Sequence, residues 1–559
     1  MIHYLLGALS MTTAGFRTLR PHALRSLRGL LPWHDRLLTV DPRSGYLASL
    51  DPLSDDTRIL NPETTHYLQD VGGWSLEGDA LWFTDREQVY VSYVHREAGL
   101  WQLAEPVLAL TLDDQAEGIV KRGEWLYISS QGRGCIWVIR VTDGKVVQTW
   151  RTPGVGISQL AVLEEKLWLC DNIEQTLYQL NWQTGQVELA VLTPYESPVG
   201  LAQWRGRYYV AYAGEEPYIR DEPNASQSLQ LGFRDRVLVH PLSFQYYPEG
   251  QYTLSNGYVL ELSYVEEWCP LEEVDLAQVE WRIALPATTH RQRLRRVEPV
   301  GLPFTLEEEA GQPVAVFRFD RLTQRQGLIF GWRAELEVFS IKYQIPEHPE
   351  VPPLEPELQQ QYLVDDDELS MDEPIIRAAA REAVVGAETF PEQLLAIRNY
   401  VYDRLRYHMR STIDPPHIAL QRGTGSCGEY VGIMLALLRL NGIACRTVGR
   451  YKCPKNPELL GVPLFPQFNH VWLEVYWPGR GWLPIESNTD HLPERPWLQP
   501  QRFFLGLAWY HLELGRGIRF ERLRLPDGSR PELGLGDLAI NHIRCILHEE
   551  IAPPTPPDT

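Results

Sequence analysis

Cys427 opens the stretch of this chain whose residues could do chemistry. It stands in GTGSCGEYVGIMLALLRLNG, residues 423–442, where small residues give way to an apolar run ending near Asn441-Gly442. The pattern predicts a helix with Cys427 in its first turn. The unpaired N–H groups and the positive dipole end of a helix favour a thiolate there over a thiol. Val431, Leu435 and Leu438 would bury the far side and anchor the nucleophile on a rigid element. Forty-three residues on, His470 leads the alternating run Val471, Leu473, Val475. Pro478-Gly479-Arg480-Gly481 predicts a turn, and Trp482 to Ile485 a returning strand. In a hairpin of that length His470 and Glu486 share the open end. A carboxylate there accepts the proton of one ring nitrogen and leaves the other facing the thiol, which is the arrangement of nucleophilic acyl transfer.

Three spaced blocks carry a resemblance. Gly425, Cys427 and Glu429 come first, then Gly442, Ile443 and Arg446. His470, Trp472, Glu474, Pro478, Gly481, Trp482 and Pro484 complete the set. Together they resemble the transglutaminase-like superfamily over roughly residues 390–495. The resemblance implies a papain-like α+β core with a Cys–His–Asp triad, often with a β-sandwich on its N-terminal side. This chain departs at the acid: Glu486, sixteen residues past His470, stands where the family carries Asp. Glu keeps the charge and adds a methylene. Asn488 is a rival, since an amide also fixes the tautomer in papain-like sites, and Asp490 is a third candidate. The register favours Glu486. For the oxyanion, the backbone N–H of Cys427 is one donor. Gln421 lies six residues before the cysteine, as the oxyanion Gln does in papain-like proteases, but reads better as a surface residue. Glu429 reads as a complement to the helix N-terminus.

Other elements must position these residues. Leu394, Ile397, Val401 and Leu405 fall on one face of a helix that begins near Pro391, and MDEPIIRAAAREAVVG reads as another helix. A repeat precedes them. Leu37-Leu38-Thr39-Val40-Asp41, Leu81-Trp82-Phe83-Thr84-Asp85, Leu126-Tyr127-Ile128-Ser129-Ser130, Leu167-Trp168-Leu169-Cys170-Asp171 and Tyr208-Tyr209-Val210-Ala211-Tyr212 recur at intervals of 44, 45, 41 and 41 residues. That period, with a turn before each later unit, is the signature of propeller blades. The order of Trp, Tyr and turns resembles NHL and gluconolactonase-type propellers. Asp85 and Asp171 end two of the strands and could line an axial metal site, although such residues more often cap turns.

The expected layout is multidomain: an all-β propeller-like domain over 1–228, a β-sandwich of immunoglobulin size over 229–346, a Pro/Glu-rich linker over 347–368, an α+β papain-like transglutaminase core over 369–550, and a flexible tail over 551–559. The first residues, MIHYLLGALSMTTAGF, read as a strand or helix packed on the first domain rather than as a signal peptide. The 52 basic and 73 acidic residues give a net charge of −21, which argues against nucleic acid and anionic membranes as partners. No run is long and apolar enough to span a membrane. Seven cysteines in no framework spacing suggest a reducing, cytoplasmic setting. The absence of GxxxxGK[ST], HExxH and paired CxxC motifs implies no cofactor and no resident metal. The expected function is thiol-dependent acyl transfer on protein or peptide amides by Cys427, His470 and Glu486, hydrolytic rather than cross-linking. The alternatives are an inactive transglutaminase-like scaffold whose propeller binds a protein partner, and a metal-dependent hydrolase housed in the propeller.

Overall fold

The computed structural model describes residues 16–220, 230–235, 237–344, 346, 349–366, 368–455, 458–526 and 534–555. The opening run 1–15, read above as a packed strand or helix, lies outside them. The chain divides into two compact units, one made of Met1–Thr152, Ile157–Asn172 and Tyr195–Ser243, the other of Pro153–Gly156, Ile173–Pro194 and Phe244–Thr559.

The first unit is built from short antiparallel strands. Arg28–Trp33, Arg36–Asp41, Tyr46–Leu50 and Thr57–Ile59 form one sheet in chain order, and Ile119–Arg122, Trp125–Ser130, Cys135–Arg140 and Lys145–Arg151 form another. Between them Trp74–Glu77, Ala80–Asp85, Gln88–Glu97 and Leu100–Leu103 form a third, with Val107–Thr111 also paired to Gln88–Glu97. Ile157–Leu163 pairs with Lys166–Asp171, and Pro198–Trp204 with Arg207–Tyr212, which in turn takes Leu238–Leu242.

Each repeat read in the sequence is the second strand of such a set. The periodicity comes from one recurring job: Leu37, Leu81, Leu126 and Leu167 are all buried at the same place in their strands. The first strands converge. Leu30, Trp74, Val120, Leu160 and Leu201, one from each set, line a single cavity of about 120 Å³. Their approach is close enough to require glycine, since a Cβ on Gly200 would lie 2.6 Å from the carbonyl carbon of Gly29. Asp41 accepts hydrogen bonds from the N–H groups of Arg43 and Ser44, and so closes a turn. Among the described residues no group of three or more His, Cys, Asp or Glu side chains is placed to hold a metal.

The second unit contains two long-stranded sheets. In one, Phe244–Tyr247, Tyr252–Trp268, Ile329–Tyr343 and Gln292–Gly301 are neighbours in that order, and Ala539–Ile551 also pairs with Tyr252–Trp268. In the other the order is Thr305–Glu309, Gln312–Thr323, Asp275–Ala284 and Glu521–Arg524. Leu260, Leu262 and Tyr264 join Trp281, Ile283, Phe317, Phe330 and Trp332 in one apolar cluster, which is what the alternation in these strands demands.

The helical part of this unit follows the Pro-rich tract, within which Pro356–Tyr362 forms a short helix. Pro374–Ala383, Phe390–Arg404, Pro416–Arg422 and Cys427–Leu440 are helices. A four-stranded sheet in the order Gly481–Ile485, Gln467–Trp477, Cys445–Lys452, His511–Leu514 lies beside the last of them. Leu394, Ile397, Val401 and Leu405 are buried, as are Val431, Leu435 and Leu438, and they meet Leu473 and Val475 of the sheet in a shared core. No described helix is long and apolar enough to cross a membrane.

Replacing Gly200 by Ala places a methyl group against the Gly29–Leu30 backbone. The expected loss of stability is about 1–3 kcal/mol, read as an earlier transition in urea unfolding followed by tryptophan fluorescence.

Candidate active site

Cys427 is the first residue of its helix, and Ser426 is the cap. The Glu429 carboxylate accepts the Ser426 N–H at 2.8 Å and the Ser426 hydroxyl at 2.6 Å. This capping box satisfies the helix start and fixes the backbone on which Cys427 rides. Gly425 is dictated by the same contact, because a Cβ there would lie 2.6 Å from the Cβ of Glu429. Glu429 therefore holds the helix N-terminus, the role expected of it. Gln421 sits exposed in the preceding short helix.

His470 and Glu486 come from the two strands of the predicted hairpin. Leu473 pairs with Ile485 and Tyr476 with Trp482, so both residues lie at the end away from the turn. The half-buried thiol of Cys427 lies near enough to the imidazole of His470 and the backbone N–H of Val471 for both to favour its charged form. Nε2 of His470 bonds Oε1 of Glu486, which leaves Nδ1 for the thiol. Imidazole and carboxylate are thus hydrogen-bonded, with the thiol beside the imidazole.

The carboxylate end is buried and heavily bonded. Oε2 of Glu486 accepts the N–H groups of Asn488 at 2.8 Å and Thr489 at 2.6 Å. Oε1 accepts the Thr489 hydroxyl at 2.6 Å and the ammonium of Lys452 at 2.9 Å. The two rivals for the acid are occupied otherwise. The Asn488 side-chain oxygen accepts the Ser487 hydroxyl at 2.9 Å. Asp490 accepts the Phe503 N–H at 2.7 Å and pairs with Arg502 at 3.2 Å.

The charges follow from these neighbours. Burial alone would push the Cys427 thiol up, but the hydrogen bond and charge of His470 and the N–H of Val471 outweigh it, and the net direction is down. Burial would likewise favour neutral His470; the Glu486 charge and the Cys427 contact reverse that and raise it. Burial works against ionised Glu486 too, yet Lys452 and His470 hold it well below the ordinary carboxylate range. All three directions favour a thiolate–imidazolium pair backed by a carboxylate.

Several close neighbours are ones that no motif marks. Lys452, Thr489 and His511 meet Glu486, and the Tyr407 phenol lies within reach of the Cys427 charge. Strand parity is the available signal for Lys452: Arg450 faces His470 in register, and Lys452 stands two residues further along the same face.

Comparison with known proteins locates a family. Residues 377–487 match the model of the transglutaminase-like superfamily, a span that includes Cys427, His470 and Glu486. A stretch of 73 residues, 13% of this chain, is 34% identical to a protein-glutamine gamma-glutamyltransferase of Pseudomonas aeruginosa and spans only 11% of that relative's length. Among solved structures, a putative cysteine protease from Cytophaga hutchinsonii aligns at 15% identity over 55% of this chain and 96% of that one, with a TM-score of 0.39. The Pan2 WD40 domain of Neurospora crassa aligns at 13% identity over 41% of this chain and 72% of that one, with a TM-score of 0.22.

Removing the Glu486 charge strands a buried ammonium. Glu486→Gln is expected to cost about 3–5 kcal/mol of stability near neutral pH. The folded carboxyl titrates below the 4.5 of a free one, so its contribution is complete above that value and is lost as pH falls through the lower folded value. Urea melts of both proteins from neutral pH into acid are expected to show the gap narrowing below pH 4.5.

Proposed function

We propose that the transglutaminase-like domain at residues 377–487 is a thiol acyltransferase acting on protein or peptide amides, with Cys427 as nucleophile, His470 as acid–base partner and Glu486 as the acid that orients it. The observation that carries this reading is a helix-start thiol beside an imidazole that is hydrogen-bonded to a buried carboxylate, which its neighbours hold in the charged form.

In the proposed reaction the Cys427 thiolate attacks the amide carbonyl carbon, and the oxyanion forms at the helix N-terminus, where the Cys427 N–H is the expected donor. The C–N bond breaks as imidazolium His470 gives its proton to the departing amine, leaving a thioester on Cys427. Neutral His470 then takes a proton from water, which attacks the thioester and releases the acid and the thiol. An amine in place of water gives transfer by the same steps. Hydrolysis is preferred because the half-buried thiol is open to water and the sequence offers no recognisable amine site.

The first unit is proposed to be a closed five-bladed propeller, supported by the one cavity that five first strands line, and to present a protein substrate or partner. The order propeller-like domain, sandwich, linker, thiol domain is kept as the proposed layout. A cytoplasmic setting goes with it, since Cys427 has to remain a free thiol.

Alkylation of Cys427 by iodoacetamide, followed by peptide mass spectrometry across pH, tests the reading. Wild type is expected to react well below pH 7, and His470→Ala to behave as a free thiol with a midpoint near 8.5. Identical profiles would remove the triad. Glutamine-containing peptides incubated with and without a labelled primary amine then separate the outcomes: release of the acid without label supports hydrolysis, label in the peptide assigns transfer, and Cys427→Ala is expected to be silent in both.

A further inference from the structure

Glu486 carries a second cation besides His470. Lys452 sets its Nζ 2.9 Å from Oε1 of Glu486, the same oxygen that Nε2 of His470 bonds, and 2.7 Å from the Thr489 hydroxyl oxygen. That hydroxyl closes a triangle by donating to Oε1 at 2.6 Å. Lys452 is itself buried. Burial weakens its hold on its proton, and the Glu486 charge opposes this. A buried ammonium placed on a triad acid is expensive and is not needed to fix the carboxylate's orientation, because the Asn488 and Thr489 N–H groups already hold Oε2.

Its use follows from the work His470 has to do. A general acid is most effective when its proton affinity lies near the working pH. A fully buried carboxylate bonded to the imidazole, with no other cation near, would stabilise the imidazolium so strongly that it would keep its proton. Lys452 acts on His470 in the opposite sense to Glu486.

Arg450, in register opposite His470, lays its guanidinium over the Phe520 ring, and the other groups facing this cluster leave Lys452 as the cation bonded beside His470. His511, on the adjoining strand, has Nε2 3.9 Å from Oε1, and burial followed by the Lys452 charge holds it neutral. Lys455 and Arg502 act on Lys452 as like charges. Tyr402 and Tyr407 sense Glu486 as phenols that burial keeps protonated. The Cys427 thiol approaches from the helix.

We propose that Lys452 is a positioning residue of this site: by sharing Oε1 of Glu486 with His470 it limits how far the carboxylate stabilises the imidazolium, so that His470 can release its proton to the departing amine. This rests on reading Glu486 as the acid that orients His470. The Glu486 methylene, one more than Asp has, lets a single oxygen reach both cations.

The test uses the full chain with histidine labelled at Cε1. The His470 resonance, identified by its loss in His470→Gln, is titrated in wild type, Lys452→Met, Lys452→Gln and Lys452→Arg. In both neutral variants the midpoint is expected to rise by about one pH unit or more, because a cation within about 5 Å is gone. Lys452→Arg is expected to return it toward wild type. Lys452→Gln retains a hydrogen-bond donor, so it separates charge from packing and serves if Lys452→Met does not fold. An unchanged or lowered midpoint in a folded neutral variant overturns the proposal. If instead His470→Gln leaves the alkylation profile of Cys427 unaltered, the triad reading itself has failed; a Lys452 result obtained with that dependence intact bears on Lys452 alone.

Discussion

A carboxylate with no access to water lies within the second unit, and much around it is arranged to make that tolerable. Burying an ionised carboxylate costs several kcal/mol unless charge and hydrogen bonds replace its water. Glu486 finds them in the N–H groups of Asn488 and Thr489, the Thr489 hydroxyl, Lys452 and His470. These donors come from three separate pieces of chain. The turn after Ile485 supplies the backbone, one strand supplies Lys452 and its neighbour supplies His470. The constraint is therefore one of register. Arg450 opposes His470, and Lys452 opposes His511 on the other side. A one-residue slip in either pairing would turn Lys452 or His470 to the wrong face of the sheet.

Cys427, the proposed nucleophile, is held by an independent device, the capping box at the helix start. Arg422 lies 3.7 Å from Glu429 and also pairs with Asp414, tying the preceding loop to the cap. The two devices meet where Cys427 approaches His470. Each side is rigid for its own reasons: the helix because Leu435, Leu438 and Val431 are packed, the sheet because its carboxylate is saturated. The proposed catalysis depends on holding reacting groups within a fraction of an ångström, and packed supports supply that better than loops do.

How much of this could be read from the residues depends on how far apart the cooperating parts lie in the chain. The helix start at Cys427 was legible because a small-residue turn, a capping Ser and an apolar run are adjacent. The hairpin was legible because Pro478 to Gly481 fixes which residues face each other, which is why His470 and Glu486 could be placed at one end. The repeats of the first unit were legible as period, since the buried leucines at positions 37, 81, 126 and 167 recur with their turns. Lys452 was not legible: it is 34 residues from Glu486 and becomes a neighbour only through sheet order. The same holds for Ala539–Ile551, which pairs with Tyr252–Trp268 from the far end of the chain. Local composition says nothing of the partner in either case, because pairing across such separations is decided by the burial of whole faces.

The surroundings of the cluster explain why a few charges can dominate it. Behind Glu486 the wall is dry: Trp472 meets His511 edge-on, Phe503 packs on the same ring, and Tyr510 stacks against it at 4.8 Å. His511 spends its Nδ1 on the Ala508 carbonyl and contributes no charge. Against such a wall a pair of charges interacts more strongly than it would in water, and every added or missing charge is felt by its neighbours. The line thiolate, imidazolium, carboxylate, ammonium alternates in sign along its length, so each buried charge has an opposite one beside it and the whole is neutral. It runs from the half-buried Cys427 to the buried Lys452, and the thiol proposed to react is at the end nearer water. That polarity lets the site keep a buried carboxylate ionised while leaving the thiol where a substrate can approach.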